Sequence, residues 1–151
     1  QLVCPPNLMF MYMPSHLNHM IFELMKNSLR AVVERYGVER EDHYPPIKVI
    51  VVEGKEDITI KISDEGGGIP RSEVPLVWTY TYTTARPDDL DPDFQTSDFL
   101  APMAGFGYGL PLARLYARYF GGDLKLISME GYGTDVYLHL NRLSSSSEPL
   151  P

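Results

Sequence analysis

Ionisable and polar residues recur every three or four positions between His16 and Arg30. With about 3.6 residues per helical turn, this spacing places the side chains on one face of an α-helix. We expect that face to lie opposite a buried apolar stripe. A carboxylate one turn from an imidazole can act as a proton acceptor. The alternative is a solvated helix face with ion pairs between successive turns. The residues concerned are His16, His19, Glu23, Lys26, Asn27 and Arg30.

A glycine triplet follows an acidic pair at the end of a predicted strand. Asp64 and Glu65 precede glycines at positions 66, 67 and 68. Consecutive glycines let a flat ligand lie against the main chain, since they carry no side chain. The Asp64 carboxylate could then accept a hydrogen bond from an exocyclic amine such as that of adenine. The alternative is a turn, for which Asp and Gly are both common.

Two further glycine segments flank predicted elements. Residues 105–109 read Gly-Phe-Gly-Tyr-Gly and run into a helix that opens at Leu110. Free N–H groups at a helix N-terminus bind phosphate, and glycines allow the phosphate to approach. A hinge for the preceding loop is the alternative. Glycines 131 and 133 are interpreted as a hairpin turn, and Thr134 beside them offers a hydroxyl group.

The remaining pattern predicts the elements that position these segments. Pro14 ends a short apolar strand, Ser15 is expected as an N-cap, and a helix continues to about Arg35. Alternating apolar residues bounded by turns predict two β-hairpins. The second helix is expected to stop at the glycines 121–122. The predicted strands cover residues 8–13, 47–53, 58–63, 123–128 and 134–140.

This order of elements favours an α+β fold, a two-layer sandwich with helices on one face of a mixed, mostly antiparallel sheet. No βαβ crossover with parallel strands is evident, which excludes a Rossmann fold. We expect a stub with a short strand at 1–12, one domain at 13–143 and a flexible tail at 144–151. An Asp- and Pro-rich stretch at about 79–104 has no period, and so long a loop is typical of a lid over a binding site.

Composition excludes several classes of function. The 151 residues carry a net charge of −7, which argues against a nucleic-acid binder because phosphate contacts need clustered Lys and Arg. The single Cys4 cannot form an internal disulfide or a cysteine zinc site. No apolar run approaches the roughly 20 residues that span a bilayer.

Taken together and in this order, the motifs resemble the GHKL ATPase superfamily, whose Bergerat fold binds ATP beneath a mobile lid. Longer strings are similar to the mitochondrial pyruvate dehydrogenase kinase family, and the resemblance extends over residues 13–143. These strings occupy residues 19–30, 63–70, 103–111, 114–124 and 128–135.

The resemblance implies a role for each matching residue. Asn27 would hold Mg²⁺ on the ATP phosphates, and Glu23 would be the general base, with His19 beside it. Asp64 would accept the adenine amine with Thr134 nearby. The resemblance also implies a K⁺ ion near the second glycine segment, residues 105–109. The other nucleotide-binding residues that it implies are Lys26, Arg30, Gly66, Gly68, Thr83, Thr84, Gly105, Phe106, Gly107, Tyr108, Gly109 and Leu110.

The implied activity is Mg²⁺-ATP-dependent phosphorylation of serine on the E1α subunit of the pyruvate dehydrogenase complex, which inactivates the complex. A homodimer in the mitochondrial matrix is also implied. The E2 lipoyl domain would bind through family regions that this sequence does not include. The alternatives are the related branched-chain ketoacid dehydrogenase kinase, an autophosphorylating histidine kinase, and an ATP-binding module without catalysis.

Overall fold

The computed structural model describes residues 1–38, 43–82 and 108–142. Within these residues, two α-helices and a 3₁₀ turn at Leu76–Trp78 accompany a five-stranded sheet. The lid stretch beyond residue 82 and the predicted tail lie outside the described residues. The helices are α1 (Pro14–Tyr36) and α2 (Gly109–Tyr119), and the strands are β1 (Leu2–Val3), β2 (Lys48–Glu53), β3 (Asp57–Asp64), β4 (Asp123–Met129) and β5 (Gly133–Asn141).

Helix α1 follows the predicted stripe but not the predicted cap. Met20, Leu24, Ser28 and Val32 recur every four residues and are buried. The helix begins at Pro14, whose missing N–H is harmless in the first turn. Ser15 as the N-cap is therefore wrong, because it lies inside the helix and Met13 occupies the cap without a side-chain hydrogen bond.

The strand order is β1-β2-β3-β5-β4, and both predicted hairpins are confirmed. Strand β3 lies at the centre and pairs antiparallel with β2 on one side and β5 on the other. Its register places Asp64 opposite Thr134, which brings two of the predicted site residues to the same end of the sheet.

The N-terminal segment differs from the prediction. Residues 8–13 form no strand, although Leu8, Phe10 and Tyr12 alternate onto the core as a strand would. The strand is instead Leu2–Val3, which pairs parallel with β2. A βαβ connection through α1 therefore exists, contrary to our expectation. The other three strand pairings are antiparallel, so the fold is still not a Rossmann fold.

The core lies between the helices and one face of the sheet. Alternate residues of β3 and β5 are buried beneath the two helices, and Leu124 of β4 lies under α2. Ala113 and Ala117 are fully buried on α2, and such small side chains let it lie close to α1 and the sheet. The predicted α+β, two-layer arrangement on a mixed sheet is confirmed. In the described part of the chain, no helix is long and apolar enough to cross a membrane.

Leu138→Ala tests the packing of the central strands. Leu138 of β5 is fully buried in the core, so truncation leaves a cavity, and we expect a loss of about 2–5 kcal/mol of unfolding free energy. Leu115→Ala is the matched control, because Leu115 of α2 is 54% exposed and its loss should cost less. Urea unfolding of both variants measures the difference. Equal losses would contradict the assignment of the core to the helix-facing side.

Candidate functional site

A cavity of about 560 Å³ opens between α1, the start of α2, the loop after β3 and the end of the β4–β5 hairpin. Most of the predicted site residues that the structure describes line this cavity, so elements far apart in sequence converge on one site. Those residues are Glu23, Asn27, Arg30, Asp64, Gly66, Gly68, Gly109, Leu110 and Thr134.

Some predicted site residues are not in the cavity wall. Lys26 and Tyr108 are not among the lining residues, and His19 packs edge-on against Tyr116 of α2 with ring centroids 5.3 Å apart. The remaining predictions concern Thr83, Thr84, Gly105, Phe106 and Gly107, which lie outside the described residues.

The polar face of α1 flanks the buried stripe and does not oppose it. Asn27 and the buried Ser28 are neighbours in sequence, and one residue turns a helix by about 100°. Asn27 therefore faces the cavity while Ser28 faces the sheet. Glu23 and Lys26 have side chains only 14% and 12% exposed, so this part of the helix is not a solvated face.

One end of the cavity is a buried carboxylate. Asp64 is 7% exposed and accepts a hydrogen bond from the Ser28 hydroxyl at 2.9 Å and from the Gly66 N–H at 3.0 Å. Burial raises the pKa of Asp64 above its ordinary value of 3.8, and these hydrogen bonds oppose the rise. The Thr134 N–H is a third donor to this carboxylate. A carboxylate has about four acceptor sites, so Asp64 can accept a further hydrogen bond from a ligand.

Close packing within the protein explains two glycines of the triplet. A Cβ at position 66 would lie 2.4 Å from the Ala31 Cβ, and one at position 68 would lie 2.1 Å from the Met129 carbonyl oxygen. Contact with a ligand is therefore not needed to account for these two glycines. They still line the cavity, because the main chain they form is part of its wall.

Apolar side chains form the walls beside Asp64. Val77, Leu126 and Val136 line the cavity from the 3₁₀ turn, β4 and β5. Apolar walls with one convergent polar group suit a flat heterocycle that donates a hydrogen bond. A purine with an exocyclic amine fits that description.

The other end of the cavity combines a carboxylate with a helix N-terminus. Gly109 begins α2 so close to Glu23 that a Cβ at position 109 would lie 2.4 Å from Glu23 Oε2. The first N–H groups of a helix have no partners within the helix and bind anions. Gly109 and Leu110 both line the cavity and supply such groups, so a phosphate chain fits here.

Lys26 contacts Glu23 with both carboxylate oxygens within reach. Its Nζ lies 2.9 Å from Oε1 and 2.8 Å from Oε2. The amine is thus held by the carboxylate at the cavity edge. The implied role of Lys26 beside the phosphates stays a prediction.

A single amide can serve Mg²⁺ in this cavity. Among the described residues, no group of three or more His, Cys, Asp or Glu could hold a metal ion. Mg²⁺ on a nucleotide is usually held by one or two protein oxygens together with phosphates and water. The side chain of Asn27 lines the cavity and offers one such oxygen, so the residues fit a metal that arrives with a nucleotide.

Sequence reasoning missed several residues of this site. Ser28 lies in the buried stripe of α1, and a polar residue in such a stripe signals a buried partner. Arg35, Glu73 and Tyr82 also line the cavity, and the Tyr82 hydroxyl donates to Glu73 Oε2 at 2.6 Å. Nothing in their spacing connects these three residues, because only the fold brings them together.

Comparison with known proteins identifies the domain. The family model described as histidine kinase-, DNA gyrase B-, and HSP90-like ATPase matches residues 13–144. Mitochondrial [pyruvate dehydrogenase (acetyl-transferring)] kinase of Schizosaccharomyces pombe is 66% identical, over 99% of this chain and 36% of the relative.

Two further relatives carry the same kind of name. The Arabidopsis thaliana enzyme is 60% identical, over 97% of this chain and 40% of its own length. Isozyme 3 of Homo sapiens is 56% identical, over 93% of this chain and 33% of its own length. The chain thus spans between a third and two-fifths of these curated relatives.

The buried environment of Asp64 can be tested through the pH dependence of protein stability. The pKa of Asp64 is raised in the folded state. At a pH between the unfolded and the folded pKa, the folded state therefore keeps a proton that the unfolded state has released, and the free energy of unfolding falls as the pH rises. Asp64→Asn removes this titration. Urea unfolding at a series of pH values measures the unfolding free energy of both proteins. We expect the wild-type value minus the variant value to decrease as the pH rises from below 3.8 to neutrality.

Asp123→Asn is the control for this titration. Burial pushes the pKa of Asp123 up, but hydrogen bonds from Arg118 and the Leu124 N–H bring it below its ordinary value. The unfolding free energy of wild type minus that of Asp123→Asn should therefore increase as the pH rises. The same sign for both variants would contradict the assigned environment of Asp64.

Proposed function

The chain belongs to the family of histidine kinase-, DNA gyrase B- and HSP90-like ATPases, and we propose that it is the ATP-binding catalytic region of a protein serine kinase. The proposed substrate is the E1α subunit of the pyruvate dehydrogenase complex, which phosphorylation inactivates. The names of the relatives support this substrate. The observation that carries the proposal is one continuous cavity with Asp64 at one end and Glu23, Asn27 and the start of α2 at the other.

Adenine recognition is assigned to the buried end. Asp64 accepts a hydrogen bond from the exocyclic amine, while Ser28 and the Gly66 N–H hold the carboxylate in place. Thr134 lies beside it and shares a hydrogen bond of 2.9 Å with Ser128. A base with a carbonyl in place of the amine would set two acceptors against each other, so we propose selectivity for adenine over guanine.

Phosphoryl transfer is assigned to the open end. The N–H groups of Gly109 and Leu110 would bind phosphate oxygens. Asn27 would hold Mg²⁺, which would neutralise charge on the phosphates. Arg30 lines the same wall and pairs with Glu34 at 2.6 Å. K⁺ bound by main-chain carbonyls near the second glycine segment is a further part of the proposal.

Glu23 is the proposed general base. As the substrate serine oxygen attacks the γ-phosphorus, its proton passes to the Glu23 carboxylate, and the bond from the γ-phosphorus to the β,γ-bridging oxygen breaks to release ADP. Lys26 keeps this carboxylate in place through its paired contacts. His19 lies one turn away on the same helix, where Tyr116 orients its ring.

The wider setting is also proposed. The names of the relatives support a mitochondrial location, which we take to be the matrix. A homodimer would use the sheet face away from the helices, where Ile127 and Met129 are more than 60% exposed. The E2 lipoyl domain would bind through regions outside this chain.

Nucleotide binding is tested by calorimetric titration of Mg-ATP into wild type, Asp64→Ala and Asn27→Ala. Hydrogen bonds to charged groups contribute about 1.5–3 kcal/mol, so Asp64→Ala should weaken binding by about tenfold or more. For Asn27→Ala we expect a loss that depends on Mg²⁺ and shrinks in its absence. Asn18→Ala on the exposed face of α1 is the control. No binding by wild type would refute the proposal.

The base assignment is tested with Glu23→Gln in the full-length protein and E1 as substrate. Gln keeps the shape of Glu but cannot accept the proton, so the rate of transfer should fall by about a hundredfold or more while ATP still binds. Transfer at the normal rate would remove Glu23 from its role. Acid-stable phosphoserine is the expected product, whereas acid-labile phosphohistidine would indicate a histidine kinase. Measuring phosphorylation of E1 from the pyruvate dehydrogenase complex and of E1 from the branched-chain complex distinguishes a pyruvate dehydrogenase kinase from a branched-chain ketoacid dehydrogenase kinase.

A further inference from the structure

An arginine in the last turn of α1 lines the cavity and ties the loop after β3 to the neighbouring β4–β5 turn. Arg35 Nη1 donates to the carbonyl oxygens of Glu65 at 2.9 Å and Tyr132 at 2.6 Å, and Nη2 donates to that of Gly131 at 3.0 Å. One side chain thus links α1 to the loop after β3 and to the β4–β5 turn. Its guanidinium also lies 5.4 Å from the ring centroid of Tyr36, which helps to fix its direction.

Of the two segments held by Arg35, the loop after β3 lines the buried end of the cavity, and the β4–β5 turn supports that loop. They bond to each other through the Gly67 N–H to the Tyr132 carbonyl at 3.0 Å and the Gly131 N–H to the Gly67 carbonyl at 2.7 Å. The Glu65 carbonyl that Arg35 holds directly follows Asp64. A shift of this carbonyl would therefore move the carboxylate and the adjoining glycine main chain together.

We infer that Arg35 is a positioning residue for the purine end of the nucleotide site, an inference that rests on the proposed function. Its planar guanidinium spans three carbonyl oxygens on two loops, which a lysine ammonium cannot reproduce. The residue acts on the nucleotide through Asp64 and the glycine loop, and its three hydrogen bonds to carbonyls already use much of its donor capacity.

The reacting end of the site is distant from Arg35. Arg35 lies twelve positions after Glu23 in α1, which corresponds to about 18 Å along the helix axis. Loss of Arg35 should therefore disturb recognition of the base and leave the placement of Glu23 and Asn27 unchanged. The consequence is a selective effect on KM for ATP, with kcat preserved.

The test uses Arg35→Met and Arg35→Lys in the full-length kinase. For Arg35→Met we expect KM for ATP to rise about five- to tenfold, with kcat within about twofold of wild type. The reason is that charge-assisted hydrogen bonds are lost only at the adenine end of the cavity. The preference for ATP over inosine triphosphate, which has a carbonyl in place of the amine, should narrow several-fold. Arg35→Lys should fall between wild type and Arg35→Met.

Arg118→Met is the matched control. Arg118 pairs with Asp123 at 2.9 Å on α2 and does not line the cavity, so neither KM nor base preference should change. A lower kcat and melting temperature for Arg35→Met, with unchanged KM and base preference, would mean a structural role and overturn the inference. Unchanged kinetics in both Arg35 variants would overturn it too. Failure of wild type to bind Mg-ATP would instead overturn the proposed function.

Discussion

A hydrogen bond between Ser28 and Asp64 connects the helical layer to the sheet at the point where the cavity begins. Both residues are almost fully buried, so neither side chain can turn to water for a partner. Burying a carboxylate is unfavourable unless protein donors surround it. The Ser28 hydroxyl and the Gly66 N–H meet that requirement, and the fold holds the resulting arrangement ready for a ligand.

The same arrangement fixes where the neighbouring elements run. The loop after β3 can reach Asp64 and α1 together only if its main chain passes close to Ala31, which leaves no room for a Cβ at position 66. Position 133 is similarly confined, because a Cβ there would lie 2.0 Å from the Asp64 carbonyl oxygen. Packing within the protein therefore requires glycine at positions 66 and 133, and the shape of the cavity follows from that packing.

Much of the fold could be predicted because local patterns decide it. The four-residue spacing from Met20 to Val32 predicts α1, and alternation bounded by turns predicts the two hairpins. The motifs also identify most of the cavity wall. Local patterns do not contain the tertiary environment. Residues 8–13 alternate like a strand, but they pair with no strand in the part of the chain that the structure describes. Strand β1 is too short to show a period. Arg35 acquires its role only when two distant loops meet beside it.

The parallel pairing of β1 with β2 has a consequence for how the sheet is protected at its border. Without Leu2 and Val3, the outer backbone groups beside Val49 and Ile50 of β2 would have no strand next to them in the described sheet. Unpaired groups of that kind invite strands from other molecules. Exposed apolar side chains such as Val52 would add to that tendency. A two-residue strand can thus guard against intermolecular aggregation, even though it contributes little to the core.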